Sequence, residues 1–334
     1  MHSPRGSAYV NIAPGSKIAA PERGKSCMFV HPTGKFDNSA RKYRHIEALP
    51  LAAAMGAEIR GVSVGRETDA QFAEIEDALF RHKMIYLRGQ RIGHAEHHAF
   101  SRRFGPFAED AYTAGIEGFI EVQPLIKEAD DRSEMVFGEG WHTDSPFLDE
   151  PPAITMLRSV QIPPYGGDTI WANAALALTM LSDTMRATIR DLRVHFSVRD
   201  VLAAAQANVE ARDSPIGRFA ATRELSVLPE GLQRKIRGNV HPLIRTHART
   251  GEQSLYLDTS YAVGFEGMRP EEAAPLLRFL GEHLTQPAFT CRLRWEPDMV
   301  VMWDNRLCLH QAFNDYQGFR REMYRTTVAG EKPR

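Results

Sequence analysis

Long apolar runs and cysteine are both scarce in this 334-residue sequence. No apolar run reaches the roughly 18 residues that suggest a membrane span, and the N-terminus lacks the continuous apolar stretch of a secretory signal. The three cysteines, Cys27, Cys291 and Cys308, are too few and too irregularly spaced for a disulfide framework or a zinc ribbon. We therefore expect reduced thiols in a cytoplasmic protein.

An excess of charge of either sign is also missing. Lys and Arg total 41 and Asp and Glu total 42, so the formal net charge is −1. Such a balance provides no broad electrostatic footprint for nucleic acid or for an anionic membrane, and neither is expected as a partner. A local basic pocket for a small anion stays compatible with it.

The composition changes once near the N-terminus. Residues 1–45 are rich in Gly, Pro, Ser, Lys and Arg and have little apolar periodicity, which predicts an N-terminal arm that is partly disordered. A packed contact between subunits is the alternative for this arm. Residues 46–334 are interpreted as one domain, because no internal repeat or low-complexity linker divides them.

The periodicity of the domain predicts a mainly β protein with a few helices. Apolar spacing predicts helices over residues 69–82 and 95–104 and helical insertions over 173–192 and 269–284. Short strands separated by Pro and Gly follow from about residue 119, a pattern typical of a β-sandwich or barrel. They are predicted at 119–122, 153–157, 168–172, 254–257, 289–293 and 298–303. The weakly patterned segment 198–235 is either a lid over a site or a surface excursion.

The run WHTDSPF at residues 141–147 is the first candidate site. In an extended strand, residues two apart face the same side, so His142 and Asp144 can present a nitrogen and an oxygen to one point. With a distant histidine they would form a 2-His-1-carboxylate triad, which leaves one face of Fe(II) open. Alone, the pair is weak, because short His/Asp pairs occur by chance.

The C-terminal part supplies a third histidine and an arginine. His310 precedes Arg321 by eleven residues, a spacing that suits two neighbouring antiparallel strands joined by a turn. The arginine can make a two-pronged contact with the far carboxylate of a diacid. After the glycine turn at 164–168, Thr169 begins a strand and could share that carboxylate. The alternatives are that Arg321 is a surface salt-bridge residue and that the glycine turn is a simple hairpin turn.

Taken together, these features resemble the taurine dioxygenase family of Fe(II)- and 2-oxoglutarate-dependent oxygenases, which includes phenoxyalkanoate and alkylsulfate dioxygenases. The resemblance extends from Pro50 to Lys332, and only the first 45 or so residues lack a counterpart. The features that carry it are WHTD at 141–144, GGDT at 166–169, WDNR at 303–306, and the spacing of His310, Arg321 and Arg325.

The resemblance implies a double-stranded β-helix, or jelly roll, of the cupin-like kind, with helices packed on one side. It implies Fe(II) bound by His142, Asp144 and His310, and the C5 carboxylate of 2-oxoglutarate bound by Arg321 and Thr169. The reaction would use O2, hydroxylate an aliphatic C–H bond, and release succinate and CO2. A homo-oligomer, either a dimer or a tetramer, is also expected.

The resemblance narrows the substrate to a small anionic molecule: a sulfonate, sulfate ester, phosphonate or carboxylate. The arginine matching Arg325 often contacts such a group. Tyr261 matches an aromatic residue of the substrate pocket, and Ser145 would face the open site. Asp110 lies near the position of a sulfonate-binding histidine in the taurine enzyme, and an acid there disfavours taurine as the substrate. Asp110 is then either an acid of the substrate pocket or an acid on the protein surface.

Two other functions are compatible with the pattern. An enzyme of the same fold could desaturate or cyclise its substrate, whereas the presence of Asp144 disfavours halogenation. A non-catalytic, cupin-like protein could bind a metal or an anion, but it would not need the complete set of residues. A separate histidine group, His94, His97 and His98, shares one helix face and is predicted to be exposed rather than metal-binding.

Overall fold

A computed structural model describes six stretches of the chain: residues 38–39, 41–108, 115–131, 138, 140–199 and 237–334. The segment 1–37, the position Asp110 and nearly all of the segment 198–235 lie outside these residues. Asn38, within the predicted arm, is buried and donates hydrogen bonds from Nδ2 to the carbonyls of Ala52 (2.7 Å) and Gly56 (3.0 Å).

The described residues are mainly β, with few helices. The helices are α1 (Asp69–His82), α2 (His94–Arg103), α3 (Ala174–Met180), α4 (Asp183–Ile189) and α5 (Pro270–Leu284). The strands as far as the one that follows the glycine turn are β1 (Glu47–Pro50), β2 (Ala57–Arg60), β3 (Met84–Leu87), β4 (Gln123–Lys127), β5 (Ile154–Gln161) and β6 (Thr169–Asn173). The later strands are β7 (Arg193–Phe196), β8 (Asn239–Pro242), β9 (Ile244–Thr246), β10 (Gln253–Leu255), β11 (Ala262–Phe265), β12 (Thr290–Leu293), β13 (Val300–Asp304), β14 (Cys308–Ala312) and β15 (Arg321–Val328).

Helix α1 coincides with the predicted range 69–82 because local signals mark both of its ends. Thr68 accepts a hydrogen bond from the backbone N–H of Gln71, and the Gln71 side chain accepts one from the backbone N–H of Thr68. This reciprocal capping box satisfies two N–H groups that the first helical turn leaves free. Lys83 then adopts a left-handed conformation (φ 64°) and ends the helix.

Two sheets face each other across the main core. The large sheet has the order β1-β2-β3-β13-β5-β15-β4, and the smaller one has the order β12-β6-β14. Trp171 of β6 and Trp303 of β13 meet between them, with ring centroids 5.7 Å apart. Two further groups of strands, β11-β7-β8 and β10-β9, extend the β structure.

Alternation along β13 divides the apolar residues between two cores. Val301 and Trp303 belong to the core that faces the small sheet. Val300 and Met302 belong to the core that packs against α1 and α2. Successive side chains of a strand point to opposite faces, so the large sheet lies between a layer of helices and the small sheet. No helix in the described stretches is long and apolar enough to cross a membrane.

Two predicted elements are wrong in detail. The range 119–122 is a turn rather than a strand, because Gly118 has φ 81° and Ile116 pairs with Phe119 across it; β4 begins only at residue 123. The range 173–192 holds two helices instead of one. Its break lies at Ser182, whose hydroxyl accepts a hydrogen bond from the N–H of Met185 and so caps a new helix.

A buried ionic cluster lies at the end of β13. Arg306 donates from Nε to Asp304 Oδ1 (2.8 Å) and from Nη2 to Oδ2 (2.7 Å). The N–H of Thr250 donates to His247 Nδ1, and the other ring nitrogen, Nε2, donates to Asp304 (2.9 Å). Burial alone would raise the pKa of Asp304, but Arg306 outweighs it and holds that pKa below its usual range.

Replacement of this carboxylate should destabilise the fold strongly. Asp304→Asn removes the fully buried charge partner of Arg306 and leaves it only the more exposed Glu331, 3.3 Å from Nη1. Breaking a buried pair in this way costs about 3–5 kcal/mol. Chemical denaturation followed by circular dichroism measures the loss. Glu76→Gln is the matched control, because its partner Arg249 has a side chain that is 58% exposed, and we expect a loss of at most about 1 kcal/mol there. Similar losses in both variants would contradict the assigned role of Asp304.

Candidate metal and co-substrate site

The structure brings His142, Asp144 and His310 together. Their ligand atoms lie within 4.8 Å of one another, and all three residues are buried. His142 and His310 form an isolated antiparallel bridge in which each backbone N–H donates to the carbonyl of the other, at 2.9 and 2.8 Å. The prediction that these three side chains converge is therefore matched by their geometry.

The local structure of the HxD run differs from the predicted strand. His142 makes a single bridge, and the chain turns away at Ser145, which has φ 45°. Among the described residues no strand ladder continues from this bridge, so other groups hold the run in place. Asp258 does so from a distance: its Oδ2 accepts a hydrogen bond from the N–H of Thr143 at 2.7 Å. The sequence pattern does not indicate Asp258, which lies 115 positions from Thr143 along the chain.

Asp258 also shapes the turn that follows it. Its Oδ1 accepts hydrogen bonds from the N–H groups of Ser260 and Tyr261, both at 2.7 Å. Burial raises the pKa of this carboxyl to about 7, and the three N–H groups act in the opposite direction. One buried carboxyl thus connects the backbone between the two HxD side chains to the turn that carries Tyr261.

The protonation states of the three side chains suit a divalent metal. Burial lowers the pKa of His142 and, more strongly, that of His310, so both imidazoles are neutral near pH 7. The carbonyl of Gly140 accepts a hydrogen bond from His142 Nδ1 (2.9 Å), which leaves the lone pair on Nε2. Burial acts to raise the pKa of Asp144, but nearby His310 and Arg325 outweigh it and lower that pKa. Two neutral nitrogens and one carboxylate are the donor set that Fe(II) oxygenases use.

Arg321 lies in a setting that fits an absent carboxylate. Its Nε is buried and has no hydrogen-bond partner among the described residues. Its Nη2 is 3.4 Å from the carbonyl of Gly167, and its guanidinium lies 5.8 Å from the ring centres of both Trp295 and Tyr316. Thr169 is next to this group, since its hydroxyl accepts a hydrogen bond from Trp295 Nε1 (3.0 Å). Burial lowers the pKa of Arg321, so an anionic partner would be strongly favoured there.

The predicted relation between His310 and Arg321 is wrong. Their strands are not hydrogen-bonded neighbours: β14 pairs with β6 in the small sheet, whereas β15 pairs with β4 and β5 in the large sheet. The connecting turn crosses from one sheet to the other. The spacing of eleven residues is therefore the length needed to pass between facing sheets, and it places the two side chains on opposite walls of one site.

Arg325 lies on the same strand face as Arg321, because residues four apart in a strand point the same way. It is buried, and its Nε donates to Gln123 Oε1 at 3.0 Å. Its Nη1 is 3.8 Å from Asp144 Oδ1. The sequence did not indicate Gln123, which pairs with Arg325 across β4 and β15. The second arginine therefore reaches the metal end of the site.

The remaining predicted substrate residues differ in burial, and one of them lies outside the described residues. Tyr261 is buried and packs against Phe147, with ring centroids 5.3 Å apart. Ser145 follows Asp144 directly and is half-buried. Asp110 lies outside the described residues. Contact of these three side chains with a substrate stays a prediction.

The histidine group of α2 does not have the exposure that was predicted. His97 is fully buried, and its Nε2 lies 3.2 Å from Thr326 Oγ1. His94 and His98 are half-buried, and both stack against aromatic rings, including that of Phe119. The helix packs on the large sheet, so its histidine face is part of a core. No second metal cluster appears in the part of the chain that the structure describes.

Comparisons with known proteins agree with this geometry. Residues 47–327 match the family described as "Taurine catabolism dioxygenase TauD, TfdA family". The chain is 32% identical over 300 residues to an alkylsulfatase of Acinetobacter baylyi, covering 86% of each protein. It is 32% identical over 291 residues to an alpha-ketoglutarate-dependent sulfate ester dioxygenase of Pseudomonas putida, covering 86% of this chain and 91% of the relative. The crystal structure of a taurine dioxygenase from Burkholderia xenovorans aligns with a TM-score of 0.70 and 34% identity, covering 87% of this chain and 91% of that one.

The chain therefore belongs to the taurine catabolism dioxygenase family. It is an Fe(II)- and 2-oxoglutarate-dependent dioxygenase, 2-oxoglutarate being another name for alpha-ketoglutarate. Its metal is Fe(II), and 2-oxoglutarate and O2 are its co-substrates.

The glycine turn before β6 generates a prediction for the co-substrate end. Gly166 has φ 74°, and a Cβ there would lie 2.4 Å from the carbonyl oxygen of Asp315. Gly166→Ala should lower the free energy of unfolding by more than the roughly 1–2 kcal/mol that the backbone conformation costs. It should also raise the 2-oxoglutarate concentration required for turnover, because the turn contacts Arg321. Denaturation curves and co-substrate titrations measure the two effects.

Gly318→Ala is the control for this prediction. Gly318 has a similar φ of 84°, but no atom lies within 4 Å of the point that a Cβ would occupy there. It should show only the conformational cost. Equal destabilisation in the two variants would contradict the role of the Asp315 contact.

Proposed function

We propose that His142, Asp144 and His310 bind Fe(II) and that this dioxygenase hydroxylates an aliphatic C–H bond of a small anionic substrate. The observation that carries the proposal is the convergence of three buried ligand atoms within 4.8 Å, beside two arginines of one strand face. When bound, Fe(II) would activate O2 and couple its reduction to the decarboxylation of 2-oxoglutarate. The residues around it provide binding, orientation and exclusion of water.

The co-substrate is assigned to Arg321 and Thr169. The unpartnered Nε of Arg321 can form a two-pronged, charge-assisted contact with the C5 carboxylate. Burial lowers the pKa of this guanidinium, and a bound carboxylate would offset that cost. The Thr169 hydroxyl accepts its hydrogen bond from Trp295, so its own proton is free to donate to the same carboxylate.

The substrate anion is assigned to Arg325. The Nε of this arginine donates a hydrogen bond to Gln123. Its Nη1 lies 3.8 Å from Asp144 Oδ1, on the side of the proposed metal site. A head group bound there would hold the neighbouring carbon next to the metal. Tyr261 and Ser145 are proposed to line the same space. Asp110, which lies outside the described residues, is proposed to pair with a hydroxyl or cationic group of the substrate.

Among anionic substrates, we propose alkyl sulfate esters first. The two relatives that share 32% identity are named for sulfate ester chemistry. Hydroxylation of the carbon that carries the ester oxygen gives an unstable hemiacetal ester. Cleavage of its C–O bond releases inorganic sulfate and leaves an aldehyde. One O2 and one 2-oxoglutarate are consumed, and succinate and CO2 are formed.

We further propose that the two facing sheets form a double-stranded β-helix, or jelly-roll, core. Residues 46–334 would be one domain, and residues 1–45 an arm on it. The facing of the large and small sheets around Trp171 and Trp303 supports this architecture. A cytoplasmic location is supported by the free, buried thiols of Cys291 and Cys308. A homo-oligomer is part of the proposal as well.

The three ligand assignments can be tested one by one. His142→Ala, Asp144→Ala and His310→Ala should each abolish succinate formation, because each removes one of three donors from a site that has no replacement among the described residues. Succinate is measured under Fe(II), 2-oxoglutarate and air, with far-UV circular dichroism as the check on folding. Turnover like that of the wild type in any one variant would refute the assignment.

The two arginines should have separable effects. Arg321→Ala removes charge-assisted hydrogen bonds and should raise the half-saturating 2-oxoglutarate concentration by about 10- to 100-fold. Arg325→Ala should instead raise the concentration of alkyl sulfate needed for half-maximal sulfate release. Arg320→Ala is the control, since Arg320 is adjacent and pairs with Glu128 near the surface.

The division of roles fails if Arg321→Ala and Arg325→Ala change co-substrate affinity equally. A panel of alkyl sulfates, sulfonates, phosphonates and carboxylates identifies the substrate class by substrate-stimulated succinate release. Release of inorganic sulfate together with an aldehyde is the expected outcome. An alkene or a cyclic ether as the product would indicate desaturation or cyclisation instead.

A further inference from the structure

Four buried residues form a chain of hydrogen bonds that ends on the carboxylate of the site. Trp303 Nε1 donates to Asn305 Oδ1 at 2.9 Å. Asn305 Nδ2 donates to Thr155 Oγ1 at 2.8 Å. Thr155 Oγ1 in turn donates to Asp144 Oδ2 in a short hydrogen bond. Each of the four side chains is at most 6% exposed, so water does not compete for these bonds.

The chemistry of the groups fixes the direction of every bond in this chain. An indole N–H can only donate, so the amide oxygen of Asn305 must face Trp303 and its NH2 must face Thr155. The Thr155 hydroxyl has one proton and already accepts from that NH2. Its proton must therefore be donated to Asp144. The indole N–H of Trp303 thus fixes the direction in which the Thr155 hydroxyl, two hydrogen bonds away, donates its proton.

The consequence falls on Asp144. Its Oδ2 is occupied by the Thr155 hydroxyl, while its Oδ1 lies toward Arg325, 3.8 Å from Nη1. The hydrogen bond favours metal binding through Oδ1, because one of the lone pairs of Oδ2 is already committed to Thr155. A carboxylate that binds through one oxygen takes one coordination position instead of two, which leaves more of the metal for co-substrate and O2.

Asn305 also braces the backbone next to Asp144. Its carbonyl accepts a hydrogen bond from Thr143 Oγ1 at 2.8 Å. The Trp303 ring, at the start of the chain of bonds, lies against His310, with ring centroids 4.6 Å apart. The same residues therefore contact both the carboxylate end and one histidine of the site.

We propose that Thr155 and Asn305 are positioning residues that hold Asp144 in one orientation and favour metal binding through one of its oxygens. This inference rests on the proposed function, because it needs His142, Asp144 and His310 to bind the ion. Outer groups that orient a metal ligand typically change metal affinity by about 10- to 100-fold when they are removed. Neither residue is expected to touch the substrate.

The test compares two substitutions at one position in the full-length, metal-stripped protein. Thr155→Val keeps the shape but removes the donor, and it should weaken Mn(II) binding about 10- to 100-fold in isothermal titration calorimetry. Thr155→Ser keeps the donor and should restore an affinity close to that of the wild type. With Fe(II), Thr155→Val should also form more succinate per oxidised substrate, since a freely rotating carboxylate would impair coupling.

Thr327→Val is the matched control, because Thr327 pairs with Thr155 across β5 and β15 and is also buried. It should leave Mn(II) affinity unchanged, whatever its effect on stability. Asn305→Ala provides a second variant, should Thr155→Val not fold, and it should lower Mn(II) affinity in the same range. Thermal unfolding of each variant separates a loss of fold from a loss of binding.

The outcomes separate this inference from the proposed function. Wild-type Mn(II) affinity in both Thr155→Val and Asn305→Ala would overturn the positioning role while the metal site stands. Equal weakening by Thr155→Val and Thr155→Ser would overturn it too, because the hydroxyl would then not be the cause. Absence of Mn(II) binding in the wild type, or its persistence in His142→Ala, would instead count against the proposed metal site.

Discussion

The backbone bridge between His142 and His310 is the constraint on which the site depends. Its two hydrogen bonds join a short segment that has no ladder of its own to the last strand of the small sheet. They bring two imidazoles to a centroid separation of 4.1 Å. Because one bridge cannot hold the whole segment in place, it also needs Asp258 and Asn305, which bind the backbone and hydroxyl of Thr143.

Burial of charge is the second organising feature of the site. Arg321, Arg325 and Asp144 are placed where water cannot solvate them fully, and such groups are costly unless partners satisfy them. Asp144 has Thr155 and the nearby guanidinium of Arg325. Arg321 has a long contact to Gly167 through Nη2 and an interaction with the Tyr316 side chain, but its Nε has no hydrogen-bond partner among the described residues. The unequal satisfaction of the two arginines gives the site one end that favours a carboxylate strongly.

Local pattern predicted much of the fold, and it failed where contacts over long sequence distances decide. Helix α1 was predictable from its apolar spacing, and the capping box at Thr68 agrees with where the helix begins. The convergence of His142, Asp144 and His310 was predictable as a motif, but their supporting structure was not. Spacing along the chain does not say which sheet a strand joins, so β14 and β15 were wrongly predicted as neighbours. Thr155 and Asn305 meet across 150 positions, and no periodicity encodes such a contact.

The WDNR run explains why neighbouring residues can serve unrelated purposes. Trp303 and Asp304 are adjacent on β13 and face opposite sides of the sheet, whereas Asn305 and Arg306 lie in the turn that follows. Trp303 and Asn305 point toward the metal site, where they direct the Thr155 hydroxyl. Asp304 and Arg306 point the other way and form a buried ion pair, and His247 donates a hydrogen bond to Asp304. The ion pair holds the turn that follows β13 and thereby the position of Asn305. Stability and ligand orientation are thus coupled through one backbone segment.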